Sequence, residues 1–397
     1  MNLNTYFSYW AELYKEDMMN NIMPFWMKYG LDTQNGGIYT CVGRDGQLLD
    51  TTKSVWFQGR FAFTCCFAYN NIEPCQQWLD AAKSTLDFIE AHCFDTDGRM
   101  FFEVTAEGTP LRKRRYVFSE SFAAIAMAEY ALATGDQTYA QKALSVFKDM
   151  RRFLNTPGIL EPKYLPSVQA QGHSITMIMI NVASRIKKVI SDPELDLQID
   201  ESLNALKKYF MHPEFKALLE TVGPNGEFID TINGRTINPG HCIETAWFLF
   251  DVAADRNGDR ELTDMALTIL NWSWEWGWDK EYGGIYYFMD RNGYPPQQLE
   301  WDQKLWWVHI ETLISLLKGY QLTGDKQCME WFEKVHNYTW THFKDKEHSE
   351  WYGYLNRKGE VLLPLKGGKW KGCFHVPRGL YQCWKMLNSI DEKSHLC

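Results

Sequence analysis

The sequence predicts an all-α fold, a closed toroid of six helical hairpins or (α/α)6 barrel, and two patterns carry that prediction. A short glycine signature returns six times, at Asn35-Gly36-Gly37-Ile38-Tyr39, Gly98-Arg99-Met100-Phe101, Gly158-Ile159-Leu160, Gly226-Glu227-Phe228, Gly283-Gly284-Ile285-Tyr286 and Tyr352-Gly353-Tyr354. Its copies lie roughly 57 to 70 residues apart, a long period of the kind that marks a repeat architecture. Between the copies, apolar residues at three- and four-residue intervals mark about twelve helices, two per repeat. The Gly158 and Gly226 copies are weak alone, and their even spacing gives them weight. Glycine permits the positive φ of a tight turn, and the aromatic or aliphatic residue after it starts a short extended segment.

In chain order the helices are expected over 4–28, 54–70, 75–93, 117–134, 137–154, 172–190, 196–220, 240–256, 259–276, 302–322, 325–343 and 372–389. Ser119-Glu120 opens the fourth, Pro239-Gly240 precedes the eighth and Asp325 opens the eleventh. Thr134-Gly135-Asp136 and Thr323-Gly324-Asp325 read as a helix C-cap followed at once by the next N-cap. Links that short make antiparallel neighbours. No terminal segment differs in composition, which favours a closed ring over an open solenoid. No Pro-, Gly- or Ser-rich linker divides the chain, so one domain is expected over 1–397.

The net charge of −9 argues against a nucleic-acid surface or an anionic membrane as partner. The local run Arg112-Lys113-Arg114-Arg115 reads as a solvated loop or a contact to an anionic ligand. Ten cysteines include the pair Cys65-Cys66 but no Cys-x-x-Cys, so zinc and redox motifs are not indicated. The first turns carry Asn, Tyr, Glu and Lys rather than a signal-peptide core, and no apolar run approaches the ~20 residues that span a bilayer. The cytoplasm is the expected location. Seventeen tryptophans can fill the contacts between concentric helix layers, and some can wall a wet cavity suited to the apolar faces of a sugar ring.

In such a toroid the second helix of each pair lines the hole. The first turns of those inner helices hold Arg60, Glu120, His173, His241 with Glu244, His309 with Glu311, and His375 with Arg378. Parallel inner helices would bring these turns to one mouth, where helix N-termini favour an anionic intermediate. Ordinary roles compete with functional ones. His92, His212, His336, His342, His348 and His395 lie on outer helices or loops and fit capping or packing. Arg60 could pair with a carboxylate, Glu120 could complete a cap, and His309 could be a structural hydrogen-bond donor behind Glu311. His241 and His375 stand apart, following Pro239-Gly240 and Cys373-Phe374 in packed segments. Imidazole titrates near neutrality and works as acid or base, so two such histidines at one mouth suit proton transfer. Glu244 lies one turn after His241 on the same face.

Several blocks resemble the N-acylglucosamine 2-epimerases, a family that includes the renin-binding protein of mammals. They are Asn35-Gly36-Gly37 with Gly43-Arg44-Asp45-Gly46, Trp56-Phe57-Gln58-Gly59-Arg60, Phe118-Ser119-Glu120, Asn238-Pro239-Gly240-His241 with Glu244 and Trp247, Leu299-Glu300-Trp301, Lys304 to Glu311, Lys366-Gly367-Gly368 and Lys371 to Arg378. The chain departs from the family at Val308, where Pro is frequent, and at Ser121, where Cys is frequent. The resemblance implies an (α/α)6 barrel, interconversion of N-acetylglucosamine and N-acetylmannosamine, a homodimer and activation by ATP. It implies His241 and His375 as the catalytic pair that exchanges the proton at carbon 2 of the open-chain sugar from opposite faces, with Arg60, Glu120, His173, Glu244, Trp307, Glu311 and Arg378 binding substrate; Arg60 would hold the carbonyl oxygen as charge develops, and Glu244 would orient His241 or assist ring opening. The chemistry needs no cofactor, and neither a G-x-G-x-x-G turn nor a G-x-x-x-x-G-K-[ST] loop is present. A cellobiose- or mannose-type epimerase or isomerase, an (α/α)6 glycoside hydrolase and a non-catalytic protein-binding relative are the alternatives.

Overall fold

Apolar residues fall into two patterns along the helices, and the patterns become two concentric rings. The structure, a computed structural model, describes residues 3–165, 167 and 169–394, so His395 lies outside the described residues. Its helices are α1 (Leu3–Asp17), α2 (Met23–Tyr29), α3 (Val55–Asn71), α4 (Gln76–His92), α5 (Phe118–Thr134), α6 (Gln137–Asn155), α7 (His173–Ile186), α8 (Pro193–Ala205), α9 (Pro239–Asp255), α10 (Arg260–Gly277), α11 (Trp306–Thr323), α12 (Lys326–His342) and α13 (His375–Ser394). On α4 the buried residues are Trp78, Ala81, Ala82, Thr85, Leu86, Phe88 and Ile89, a single stripe that suits an outer helix. On α3 nearly every residue from Phe57 to Ala68 is buried, which only an interior position allows.

The inner ring runs α3, α5, α7, α9, α11, α13 and back to α3. α1, α4, α6, α8, α10 and α12 cover it, with α1 packed on α13. The predicted toroid is therefore present, and it closes through its first and last helices. Gly59 lets α3 and α5 approach closely, since a Cβ there would sit 2.6 Å from the Phe122 backbone. The two expected cap pairs form. Gly135 (φ 73°) and Gly324 (φ 71°) end α5 and α11, and Asp136 and Asp325 each accept a hydrogen bond from a first-turn N–H of the next helix at 2.9 Å. Among the described residues no helix is long and apolar enough to cross a membrane.

The glycine signature has a structural purpose that its sequence alone does not reveal. At three copies, a side chain near the start of an inner helix reaches back and accepts the N–H of the residue after the turn. Gln58 Oε1 takes Ile38 N–H at 2.8 Å, Glu120 Oε1 takes Met100 N–H at 2.8 Å, and His309 Nε2 takes Ile285 N–H at 3.0 Å. Gly37 (φ 77°) stands so close that a Cβ would meet Gln58 Oε1 at 2.4 Å. Buried lysines clamp the Gly37, Gly284 and Gly353 turns by pairing with their aspartates: Lys53 with Asp32 at 2.7 Å, Lys304 with Asp279 at 3.1 Å and Lys366 with Asp345 at 2.7 Å.

One expected helix is substantially wrong. The segment 196–220 is helical only to Ala205, passes through a π turn at Leu206–Phe210, and then becomes the paired strands Met211–His212 and Ala217–Leu218. Pro213 explains this, because it lacks the N–H a helix needs and pushes the residue before it out of the helical region. Two inner helices also start later than expected. Lys304–Leu305 pairs with Tyr354–Leu355 before α11 begins, and α13 begins at His375 itself.

Candidate active site

Because the inner helices share one direction, their first turns meet at one mouth of the ring. The cavity there, about 210 Å³, is lined by Arg60, His241, Glu244 and Arg378 among aromatic and aliphatic side chains that include Trp56, Phe122 and Phe374. It adjoins a wider vestibule of about 1080 Å³ through the shared residues Phe118 and Ser174. The basic run from Arg112 to Arg115, together with Lys163, lines that vestibule.

His241 is the third residue of α9, and its local sequence has a mechanical logic. The Asn238 side chain caps the helix by accepting His241 N–H at 3.1 Å, and Pro239 occupies the first turn, where no N–H is needed. Gly240 leaves room for Trp307, whose ring would lie 2.6 Å from any added Cβ. The Trp307 indole then neighbours both histidines, with ring centroids 5.5 Å from His241 and 5.9 Å from His375.

Each imidazole is held by its own carboxylate. His241 Nδ1 lies 2.8 Å from Glu220 Oε1, and His375 Nδ1 lies 2.7 Å from Glu311 Oε1. An ionised carboxylate only accepts, so both Nδ1 atoms are donors and both Nε2 atoms are free for other work. The settings differ beyond that point. Burial opposes charge on His241, but Glu220 and then Glu244 outweigh it and raise the histidine above its usual value. His375 is pushed down to about 4, chiefly by burial, with Arg60 and Arg378 opposing the help from Glu311. Glu311 is buried and yet held down at about 2 by Arg378 and His375, and its second oxygen accepts Trp247 Nε1–H at 2.8 Å. Glu244 is raised to about 7 by burial and by repulsion from Glu311.

Arg60 is half-buried among rings, 4.0 Å from the Phe122 centroid and 4.9 Å from Phe374. Among the described residues no acceptor bonds its guanidinium, and burial lowers it to about 9. It is a donor without a partner at the cavity wall. The alternative pairing with a carboxylate does not form.

Two expected substrate contacts point elsewhere. Glu120 is buried and turned to the Met100 backbone, where burial raises it to about 7. His173 is buried behind the wall, its Nε2 3.0 Å from Thr245 Oγ1 and its Nδ1 3.5 Å from Glu220. First-turn position and family resemblance point to both residues, and neither fixes the direction of a side chain. Glu220 is the residue sequence reasoning missed. Its periodicity reads as part of an outer helix over 196–220, and the signal that could have found it is Pro213, which turns this segment into extended chain that reaches the mouth. His309 is structural, with its Nδ1–H donating to Leu305 O at 2.7 Å while its Nε2 accepts from the turn. His212, His336 and His342 likewise bond to Glu214, Tyr14 and the Gly359 carbonyl, away from the mouth.

One ligand atom from each of Glu244, Glu311 and His375 lies within 4.8 Å of the others, a spacing that could hold a metal ion. The Arg378 guanidinium already donates to Glu311 and approaches Glu244 at 3.5 Å, so a fixed positive charge is built into the cluster. A hydrolase would need one carboxylate free as acid and another free as base or nucleophile. Here both oxygens of Glu311 are committed to neighbours and Glu120 faces away.

The family model described as N-acylglucosamine 2-epimerase (GlcNAc 2-epimerase) matches residues 37–377. The chain belongs to this family. It is 36% identical over 383 residues to the N-acylglucosamine 2-epimerase of Bos taurus, covering 94% of this chain and 90% of that one. It is 34% identical to the Homo sapiens N-acylglucosamine 2-epimerase over 391 residues, with 96% and 91% covered. Among solved structures, the cellobiose 2-epimerase of Spirochaeta thermophila DSM 6192 superposes with a TM-score of 0.84 at 19% identity, covering 98% of this chain and 99% of that one, which speaks to the fold. Family membership makes the chain an enzyme, a sugar 2-epimerase, and His241, Glu244, Glu311, His375 and Arg60 all fall within the matched span.

Proposed function

We propose that the chain interconverts N-acetyl-D-glucosamine and N-acetyl-D-mannosamine, moving the proton at carbon 2 of the open-chain sugar between His241 and His375. One observation carries this reading: two imidazoles neighbour Trp307 at one mouth, each fixed through Nδ1 by its own carboxylate and each with Nε2 unclaimed. Carbon 2 is acidic only while carbon 1 is an aldehyde, since the carbonyl oxygen then takes up the electrons. One imidazole removes the proton and the other returns one to the opposite face. Proton transfer by a positioned group is worth about 10²–10⁴-fold. Arg60, with no acceptor of its own, is the donor for the developing enolate oxygen, a role typically worth about 10²–10³-fold. Glu244, raised to about 7, exists in both protonation states near neutrality and suits the proton transfers of ring opening. Trp56 and Trp307 give the sugar apolar faces, and Arg378 and Glu311 orient His375 and the hydroxyls around it.

Nucleotide activation, a cytoplasmic setting and a dimer belong to the same proposal through family resemblance. The vestibule supplies suitable chemistry for ATP phosphates, because Arg112, Arg114, Arg115 and Lys163 line it and Glu161 is the acid there. Its width also leaves a disaccharide as the second substrate reading, with the distal sugar ring outside the inner cavity. The deciding test is proton NMR of N-acetylmannosamine in heavy water, with and without ATP, with cellobiose and mannose run in parallel. Deuterium at carbon 2 with appearance of N-acetylglucosamine is the expected result. Turnover of cellobiose or mannose alone would overturn the substrate, and a sugar that keeps its carbon-2 proton would overturn the reaction.

A further inference from the structure

Glu220 and Glu311 hold equivalent nitrogens of the two histidines, yet their electrostatic company is opposite. Glu311 accepts from Arg378, so its charge is already answered by a guanidinium before His375 is considered. Among the described residues no lysine or arginine reaches Glu220; its ionic contacts are His241 at 2.8 Å and His173 at 3.5 Å. Only His241 hydrogen-bonds the carboxylate, for His173 Nδ1 at 3.5 Å makes no hydrogen bond to it. Thr245 gives its hydroxyl proton to the His241 carbonyl at 2.8 Å, so it accepts from His173 Nε2–H, which fixes the ring behind the carboxylate. The Glu220 side chain is mostly enclosed, 17% exposed, and a carboxylate so enclosed needs a cation. His241 is the side chain placed to supply it.

We propose that Glu220 is a positioning residue that holds His241 as the imidazolium, while Arg378, by neutralising Glu311, leaves His375 uncharged, so each turnover begins with a single proton on the pair, carried by His241. The proposal rests on the epimerase reading above for its kinetic consequence but not for its electrostatics. The step balances as follows. His375 Nε2 takes the carbon-2 proton, the electrons of that bond form the enolate with charge on the carbonyl oxygen, and His241 Nε2–H delivers its proton to the other face. The enzyme is left inverted, with His375 charged and His241 neutral. It then either accepts the opposite epimer or returns the proton through water before repeating the same direction.

Other charged and titratable groups face the pair without removing the asymmetry. Glu244 lies on the same helix as His241 and favours its charge, while Arg60 from α3 and Arg378 from α13 act against charge on His375. Tyr287, half-buried and influenced by Glu300 and Glu220, stays neutral because burial and those acids hold it at about 12.

Because the ratio of forward to reverse kcat/KM must equal a pH-independent equilibrium constant for a neutral sugar, both directions share one bell-shaped profile, with His375 setting the acid limb and His241 the alkaline limb. Two measurements test the proposal. The first is the pH profile of kcat/KM for N-acetylmannosamine in wild type, Glu220→Gln and Glu220→Asp. Glu220→Gln keeps the shape but not the charge, so the alkaline limb should fall by about one pH unit or more with the acid limb unmoved; Glu220→Asp should restore much of the shift. A lower rate on an unmoved profile would overturn the proposal, since that is what a merely structural residue would give. The second is NMR titration of the imidazole C–H resonances in sugar-free protein, assigned with His241→Asn and His375→Asn. His241 should titrate above His375 in wild type, and the reverse order would overturn the proposal even if Glu220→Gln fails to fold. If no sugar is epimerised, the reaction reading falls while the titration order still decides the role of Glu220.

Discussion

Glu311 bonds three neighbours at once, His375, Arg378 and Trp247, and that crowding makes it the most vulnerable acid at the mouth. Glu311→Gln keeps the volume but leaves buried Arg378 with only the more distant Glu244, and the expected result is a fall in kcat/KM of about 10–100-fold or more, measured by coupled assay. Arg60→Lys should lower kcat about 10²-fold with little change in KM, since a shorter point charge reaches the enolate oxygen poorly and only the transition state carries that charge. His375 sits near 4, below an ordinary histidine, so its base form is retained as pH falls; activity should persist well below pH 6.5, and an acid limb at or above that value would contradict the described setting. His241 and His375 were legible in the sequence because residue type and helical position agree at both sites. Glu120 and His173 share that position without facing the cavity, and the difference lies in neighbours far along the chain, Met100 and Thr245, that no local pattern exposes. Glu220 was hidden by a helix drawn through Pro213.

At the scale of elements, the turn and the helix that receives it form one unit. Gly284 illustrates it: with φ at 75° and a Cβ that would come 2.7 Å from Tyr338 and 3.0 Å from His309, alanine is opposed both by backbone conformation and by the side chain that takes Ile285 N–H. Gly135 also has positive φ, at 73°, but nothing lies within 4 Å of its missing Cβ. Gly135→Ala should therefore cost about 1 kcal/mol, and Gly284→Ala about 2–4 kcal/mol because packing strain adds to the backbone cost. Paired chemical denaturation curves would check the ordering. At the mouth, Gly240→Ala should push Trp307 away from the histidines and reduce turnover far more than it reduces stability. The periodic glycines were readable without coordinates, whereas the side chains that grip them were not: Gln58, Glu120 and His309 share a position and no chemistry beyond the ability to accept a hydrogen bond.

For the molecule as a whole, the buried clamps set how it responds to acid. Asp32, Asp279 and Asp345 are each held below the ordinary carboxylate range; burial works against this, and the lysine or arginine partners together with turn N–H groups prevail. Their folded values lie below their unfolded ones, so the stability they contribute is complete above about pH 5 and declines as pH falls through about 4. Melting temperature should hold steady above that range and drop below it. Asp279→Asn, which leaves buried Lys304 without its carboxylate and Arg357 with Glu281 alone, should lower stability by about 3–5 kcal/mol at neutral pH and flatten the acid decline. The ring itself followed from counting hairpins, but its closure is a matter of contact between α1 and α13 and between α13 and α3.

That closure imposes an order on how the enzyme comes into being. A ribosome releases Arg60 early and His241 midway, while His375 and Arg378 ride on α13, which packs on α11 and closes the ring against α1 and α3. A nascent chain holding five hairpins would have a groove instead of a ring and one imidazole instead of two. Competence therefore arrives in a single late event, and any agent that pries the first helix from the thirteenth would silence catalysis while most of the drum still stands.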